Sequence, residues 1–163
     1  MALRRSPRIA AKQAAAASAA AALKEQRIAR AAAYFGPIDP DWKIRCGAWI
    51  ASDWEHEVIE TYYLTLAEYL ETGAVPSMGS FRVSARNHGR YEAARCLKKV
   101  ELEAELILLT KESRKLTCEI VNEALAGRTD SAYMRHLEFI YKCAMKRIDR
   151  IKLNAKRHHG FDL

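Results

Sequence analysis

The sequence predicts an all-α fold: a helical bundle with a long C-terminal antiparallel helix hairpin and an extended alanine-rich N-terminal helix or arm. Fourteen alanines lie between Ala10 and Ala33, and alanine has the highest intrinsic helix propensity. In the later segments, apolar residues recur three and four positions apart, which is the spacing of one helix face. Half of the 163 residues are apolar and 29% are charged, a composition that excludes wholesale disorder.

The N-terminal region divides into a basic arm, residues 1–12, and an alanine-rich helix, residues 13–35. Ser6 followed by Pro7 predicts a helix start, and Gly36-Pro37 predicts a helix end near Tyr34. The few large apolar side chains lie at the two ends of this region. Because its middle is made of small side chains, we expect the helix to lie against another molecule or against the body of its own domain.

Residues 36–163 form the predicted helical bundle domain. A turn-rich linker leads to a short amphipathic piece, residues 42–50, and Ser52-Asp-Trp-Glu55 is a capping box that starts a helix. Gly73 has the position of a helix-ending glycine. The core-facing stripe of this helix consists of Trp54, Val58, Ile59, Tyr62, Leu66, Tyr69 and Leu70.

A predicted loop, Ala74 to Gly89, contains Pro76 and two glycines, with a short strand expected around residues 81–83. The longest predicted helix follows, from Arg90 to Ala126, and ends at Gly127. Its predicted apolar positions are Tyr91, Leu97, Val100, Ala104, Ile107, Leu108, Leu116, Ile120, Val121 and Leu125.

The last predicted helix starts at a Thr129-Asp130 cap and has the most regular pattern in the chain. Because the connection from Gly127 to Asp130 is short, this helix and the preceding one are expected to form an antiparallel hairpin. The steps along its apolar seam are 4, 3, 4, 4, 3 and 4, a near-heptad series made of Tyr133, Leu137, Ile140, Ala144, Ile148, Ile151 and Ala155.

Charge is strongly segregated along the chain. Residues 1–34 hold seven Lys and Arg against Glu25 alone, residues 35–73 hold two against eight carboxylates, and residues 74–163 hold eighteen against eleven. The net charges are therefore +6, −6 and +7. An acidic middle between two basic ends is able to pair within the chain or with neighbouring subunits.

The basic residues fall into three candidate clusters, which lie in the arm, in the loop before the long helix and along the last helix. His88 is a further member of the second cluster, and Lys142, Arg147 and Lys152 are further members of the third. Basic side chains of this kind neutralise phosphate groups or contact acidic protein surfaces. The predicted nucleic-acid or partner-binding residues are Arg4, Arg5, Arg8, Lys12, Arg82, Arg86, Arg90, Lys146, Arg150, Lys156 and Arg157.

Catalytic and metal-binding motifs are absent from the sequence, so we expect no enzyme activity and no cofactor. His56 with Glu60 would supply half a metal site, but no second such motif exists, and a solvated acidic face is favoured. The His158-His159 pair is interpreted as a basic helix end. The four cysteines form no Cys-x-x-Cys pair and are predicted to be reduced core thiols of an intracellular or virion-interior protein.

Arg4-Arg-Ser-Pro-Arg-Ile9, followed by Lys12, resembles the short Arg-Arg-Ser-x-Arg arms of eukaryotic chromatin-associated proteins. It is also similar to the N-termini of many proteins of large nucleocytoplasmic DNA viruses. The likeness covers about nine residues, and the remaining chain resembles no family. It implies a location near DNA or inside a virion, and no activity.

Three functions remain in competition. The first is a non-enzymatic structural or assembly subunit of a larger complex, such as a minor capsid or core-associated virion protein, whose arm and alanine-rich helix dock on neighbours. The second is a chromatin-like nucleic-acid-binding protein that uses the arm and the basic last helix. The third is a subunit of an organellar complex, because the basic, acid-poor N-terminus also imitates a mitochondrial transit peptide. The first two predict opposite surroundings for the acidic middle, which should meet basic side chains in a subunit and face away from them in a DNA-binding protein.

Overall fold

The computed structural model describes residues 7–47, 54–77 and 84–163, and every regular element in these residues is a helix. This confirms the all-α prediction. In chain order the elements are α1 (Pro7–Phe35), α2 (Trp42–Cys46), α3 (Trp54–Thr72), α4 (Ala85–Leu125) and α5 (Ala132–Asn154), and a π-helical turn (Ala155–His159) continues α5.

The chain forms two compact units, Met1–Ala94 and Arg95–Leu163, and the boundary between them falls inside α4. The first unit contains α1, α2, α3 and the first turns of α4. The second contains the rest of α4, α5 and the C-terminal residues. Helix α1 is continuous from the basic arm into the alanine-rich region.

The first unit is held by α3, which buries one face at three- and four-residue spacing. Val58, Tyr62 and Leu66 are buried on it, as the apolar stripe predicts. Trp42 of α2 and Ala85 of α4 join Val58 in a buried cluster. The short helix α2 is thereby fixed to both longer helices.

Gly89 faces the backbone of α3 at a distance that leaves no room for a side chain. A Cβ atom there would lie 2.6 Å from the carbonyl oxygen of Val58 and 2.8 Å from Cβ of Thr61. Since the first of these atoms belongs to backbone, a local side-chain rearrangement cannot relieve the clash. Gly89 is therefore required for the packing of α4 on α3.

We expect Gly89→Ala to lower the free energy of unfolding by about 1–3 kcal/mol, the usual cost of overpacking. The sign of this change is informative, because helix propensity alone would make alanine more stable than glycine by about 1 kcal/mol. Ala104→Gly, at an exposed position of the same helix, measures that intrinsic term. Urea denaturation of both variants provides the comparison, and a stabilised Gly89→Ala protein would contradict the close approach.

The second unit is the expected hairpin of α4 and α5. Leu109 of α4 packs with Ile148 and Ile151 of α5 in a buried cluster. Partly buried residues packed against this cluster come from both helices and from the C-terminus: Leu102, Leu106, Met145 and Leu163.

The C-terminal residues fold back onto Arg95. Its Nη1 donates a hydrogen bond to the carbonyl oxygen of His159, and its guanidinium carbon lies 4.4 Å from the ring centroid of Phe161. The pKa of His159 is lowered, mainly because the ring is partly buried and also because Lys98, Arg95 and His158 lie nearby. This histidine is thereby part of the packed end of the unit, whereas His158 is exposed.

Helix ends are confirmed at three predicted glycines, since Gly36, Gly73 and Gly127 all have positive φ. Two predicted helix starts were wrong. Helix α4 begins at Ala85 inside the predicted loop, because Ser84 Oγ accepts a hydrogen bond from the Asn87 N–H at 3.2 Å. The cap of α5 is Ser131 in place of Thr129-Asp130, and its Oγ accepts from the Met134 N–H at 2.9 Å.

The predicted seam of the last helix was wrong at two positions. Leu137, Ile148, Ile151 and Ala155 are buried, but Tyr133 and Ile140 are exposed, and Met134 is buried instead. Three other predictions lie outside the described residues, namely the strand around residues 81–83, the capping-box serine at 52 and the end of the amphipathic piece at 50.

Candidate interaction surfaces

The N-terminal two-thirds of α1 is exposed on every side. All residues from Arg8 to Gln26 are exposed, and the ion pair of Lys24 with Glu60 of α3, at 2.7 Å, ties the C-terminal end of this stretch to the rest of the unit. Arg8 and Lys12 lie here, and Arg4 and Arg5 lie outside the described residues. An isolated helix of this length is marginal in water, so its high alanine content and its continuity with a packed segment support it.

The C-terminal third of α1 is packed on α3. Ala31 is fully buried, and Cα atoms of α1 and α3 approach within 8 Å, a distance that small side chains permit. Arg27 donates two hydrogen bonds of 2.8 Å to the Glu71 carboxylate. This bond lowers the pKa of Glu71, so the stability the pair contributes is present at neutral pH and is lost as the pH falls through that pKa.

Five carboxylates of the acidic segment are paired with basic side chains of the same unit. The pairs, with nitrogen–oxygen distances of 2.7–3.1 Å, are Lys24–Glu60, Arg27–Glu71, Lys43–Glu55, Arg45–Asp39 and Arg86–Glu57. Surface pairs of this kind add little to stability, so their main consequence is the distribution of charge. The acidic segment meets basic residues within the chain.

The second predicted basic cluster is dispersed. Arg86 pairs with Glu57, and Arg90 is exposed on α4 with no ion pair among the described residues. His88 does not belong to a basic surface, because it is buried and its ring lies 5.9 Å from that of Trp42. Arg82 lies outside the described residues.

The residues of the third cluster are exposed along α5 and the π-helical turn that follows it. Arg147 is bound to Glu105 at 2.6 Å and Lys156 to Asp162 at 3.0 Å. The remaining predicted members are exposed and make no ion pair within the described part of the chain: Lys142, Lys146, Arg150, Lys152 and Arg157. Lys142, Lys146 and Arg150 recur at steps of four on one face of α5, and Arg157 follows in the π-helical turn. We call these four residues the basic stripe.

A buried ion pair joins α2 to α4, and the sequence did not indicate it. Arg45 donates to both oxygens of Glu92, at 3.0 and 2.6 Å, and His88 Nε2 lies 3.5 Å from Glu92 Oε1. Burial alone would lower the pKa of Arg45, but the hydrogen bonds and charge of Glu92 outweigh it, and the pKa is raised. Because the Glu92 carboxylate is buried and the Arg45 side chain is 21% exposed, this pair is a structural feature of the first unit and not an interaction surface.

An apolar surface runs along α4 on the side away from α5. Residues predicted as core positions are exposed here, with 68% of Ile107 and 82% of Leu125 accessible to solvent. Val100 and Val121 are also exposed, whereas Leu102, Leu106 and Leu109 pack towards α5. Helix α4 therefore carries two apolar faces, and one of them is left uncovered by residues 7–47, 54–77 and 84–163.

A metal site is not found among the described residues, which contain no group of three or more His, Cys, Asp or Glu side chains able to hold a metal ion. None of the four cysteines forms a disulfide, but the prediction of core thiols was wrong for Cys118 and Cys143, which are exposed. Among the described helices, none is both long and apolar enough to span a membrane.

We compared the chain with known protein families, with curated proteins and with solved structures, and none of them matches it.

Proposed function

We propose that this chain is a non-enzymatic structural subunit of a larger complex, which it joins through exposed helical surfaces. The observation that carries the proposal is the exposure of α1 from Arg8 to Gln26. A helical stretch whose residues are all exposed buries little surface against its own chain and gains little stability from tertiary packing. Docking on a neighbouring subunit would supply that packing, and alanine side chains would allow close approach of the two backbones.

The pairing of the acidic segment supports a subunit over a protein devoted to DNA. A DNA-binding protein would be expected to direct its carboxylates away from its basic surfaces. Here Lys24 and Arg27 of α1 are bound to Glu60 and Glu71. The basic residues of α1 that remain for other contacts include Arg8 and Lys12, close to its N-terminus.

The kind of complex we propose is a virion of a large DNA virus, in which the chain would be a minor capsid or core-associated protein. The support is the Arg4-Arg-Ser-Pro-Arg-Ile9 arm, which resembles those of such viruses, together with four cysteines that form no disulfide. Cysteines without disulfides are typical of proteins kept in a reducing compartment.

Deletion of residues 1–12 tests the role of the arm. We expect the truncated chain to remain folded, because the buried residues that the structure describes in both units lie beyond this segment. Its incorporation into the native complex should fall sharply, as measured by co-sedimentation of tagged protein in extracts of the source cells or particles. A second variant, with glutamine at Arg4, Arg5, Arg8 and Lys12, keeps the helix and separates the loss of charge from the loss of contact area.

Two results would contradict the proposal. A full-length chain that sediments as a free protein of 18.5 kDa in the native extract is not a subunit. A truncated chain that is incorporated as well as the full one makes the arm a passive tail. Nuclease treatment before sedimentation shows whether nucleic acid holds the complex together.

Nucleic-acid binding is the second candidate function, and the basic stripe of α5 favours it. Three of its cations, Lys142, Lys146 and Arg150, span about 12 Å along α5 at 1.5 Å per residue, and Arg157 lies beyond them in the π-helical turn. Four phosphate contacts would give a slope of about −3.6 for log affinity against log salt on duplex DNA, and about −2.8 on single strands. Substitution of all four by glutamine should flatten that slope in fluorescence anisotropy titrations, and an unchanged slope would exclude this surface.

A further inference from the structure

We propose that the exposed apolar face of α4 binds one amphipathic helix of a partner protein, apolar at both ends of its contact face and acidic at the centre. The inference rests on the proposed role as a subunit and names the chemistry of one neighbour. The residues concerned, which we call the outer stripe, are Val100, Ala104, Ile107, Lys111, Arg114, Cys118, Val121 and Leu125.

The spacing of the outer stripe is that of a coiled-coil seam. Its steps are 4, 3, 4, 3, 4, 3 and 4, so the series keeps a strict heptad repeat over its whole length. All eight residues are exposed. A heptad seam is complementary to another helix, because each of its side chains fits between four residues of a facing helix.

The length of the stripe sets the size of the occupant. From Val100 to Leu125 it extends about 37 Å at 1.5 Å per residue. Exposed apolar side chains lie at both ends of the stripe, Val100 and Ile107 at one end and Val121 and Leu125 at the other. Groups of this kind are typical of an interaction site, whereas single exposed apolar residues are ordinary. The occupant is therefore a helix of about 25 residues.

Charge at the centre of the stripe specifies the partner further. Lys111 and Arg114 occupy two successive seam positions, with the exposed Lys115 beside them. No carboxylate pairs with any of the three within the described residues. A partner helix with carboxylates at the facing layers would neutralise these cations, and its apolar ends would cover Ile107 and Leu125.

The same charges argue against a second copy of this chain. A parallel pair of α4 helices would place Lys111 against Lys111 and Arg114 against Arg114. An antiparallel pair in register would place Lys111 against Arg114 of the other copy, again cation against cation. Directly opposed like charges destabilise a helix pair and exclude wrong partners. Helix α1 is also unsuitable, because Glu25 is its sole carboxylate.

The experiment uses the full-length chain and two synthetic peptides of four heptads. One peptide carries leucine at the seam positions of its outer heptads and glutamate at its two central layers, and the other carries lysine at those central layers. Fluorescence anisotropy of labelled peptide measures both affinities. We expect the glutamate-centred peptide to bind at least about tenfold more tightly, because like charges across an interface disfavour the other.

Variants at exposed positions test which residues are responsible. K111E/R114E should invert the preference towards the lysine-centred peptide, and the charge-conserving swap K111R/R114K should keep it. Ile107→Glu should weaken binding of both peptides. Arg30→Glu, an exposed charge change on α1, controls for the overall charge of the protein. Circular dichroism of each variant verifies that the helices remain formed.

Three outcomes would overturn the inference: equal binding of the two peptides, tighter binding of the lysine-centred peptide, or a dimer of the chain alone that Ile107→Glu dissociates in sedimentation equilibrium. None of them affects the proposed function, which is tested by incorporation into the native complex. Conversely, a chain found free in the native extract removes the proposed function, and the peptide preference can still be measured.

Discussion

Truncation of Leu137 or Ile148 to alanine is expected to lower the free energy of unfolding by about 2–5 kcal/mol each. Both side chains are buried on α5, and Leu137 retains 3% of its exposure. Removing buried methyl groups loses their transfer free energy and leaves a cavity that the helices close only in part. Chemical denaturation, followed by far-UV circular dichroism, measures the change.

The control is Ile140→Ala on the same helix, where the side chain is 36% exposed. We expect a clearly smaller cost there, because less apolar surface is lost from the interior. Lys146→Ala, on the outer face, should change the stability by no more than about 0.5 kcal/mol. Equal effects at Leu137, Ile140 and Lys146 would mean that α5 is not packed along the face that the structure buries.

The contrast between Leu137 and Ile140 shows how far the sequence determines this fold. Periodicity and the short connection predict both helices of the hairpin and their pairing. They do not decide between Tyr133 and Met134, because steps of four and of three both lead to Leu137 on the same face. The structure buries Met134, and this choice depends on the facing side chains of α4, which no local spacing contains.

Helix α4 illustrates a second limit. One apolar pattern predicted Val100 and Ile107 among the apolar positions of this helix and left out Leu109. In the structure the helix has a covered face around Leu109 and an exposed face around Ile107. The second face could have been found from the strict heptad spacing between Val100 and Leu125. The covered residues Leu102, Leu106 and Leu109 have the same kind of spacing but start two positions later, so they lie on a different face of the helix.

The charges of the candidate surfaces could be predicted from the sequence and their pairing could not, because net charge is a property of composition and pairing is a property of the fold. The segregation of acidic and basic segments is visible in the sequence. That Glu60 is bound by Lys24, and Glu92 by Arg45, depends on contacts between residues far apart in the chain. The sequence therefore predicts which charges need partners, and the fold decides which of them find one inside the molecule.

Arg45→Met is the second substitution with a large expected effect, about 3–5 kcal/mol of lost stability. Methionine keeps much of the aliphatic length of the side chain but removes both hydrogen bonds to Glu92. The Glu92 side chain is 1% exposed, so its carboxylate would remain in the core without its main cation. Breaking a buried ion pair from one side leaves an uncompensated charge, and this accounts for most of the cost.

Glu92→Gln should cost less, about 1–3 kcal/mol, because the two partners differ in exposure. The Arg45 side chain is 21% exposed and lies 3.1 Å from Asp39, so its charge keeps both water and a second carboxylate. The double variant R45M/E92L should be more stable than R45M alone, since it leaves no buried charge without a partner. A larger loss of stability in Glu92→Gln than in Arg45→Met would contradict this argument. It would mean that the cost of breaking the pair is not determined by the buried, unpaired carboxylate.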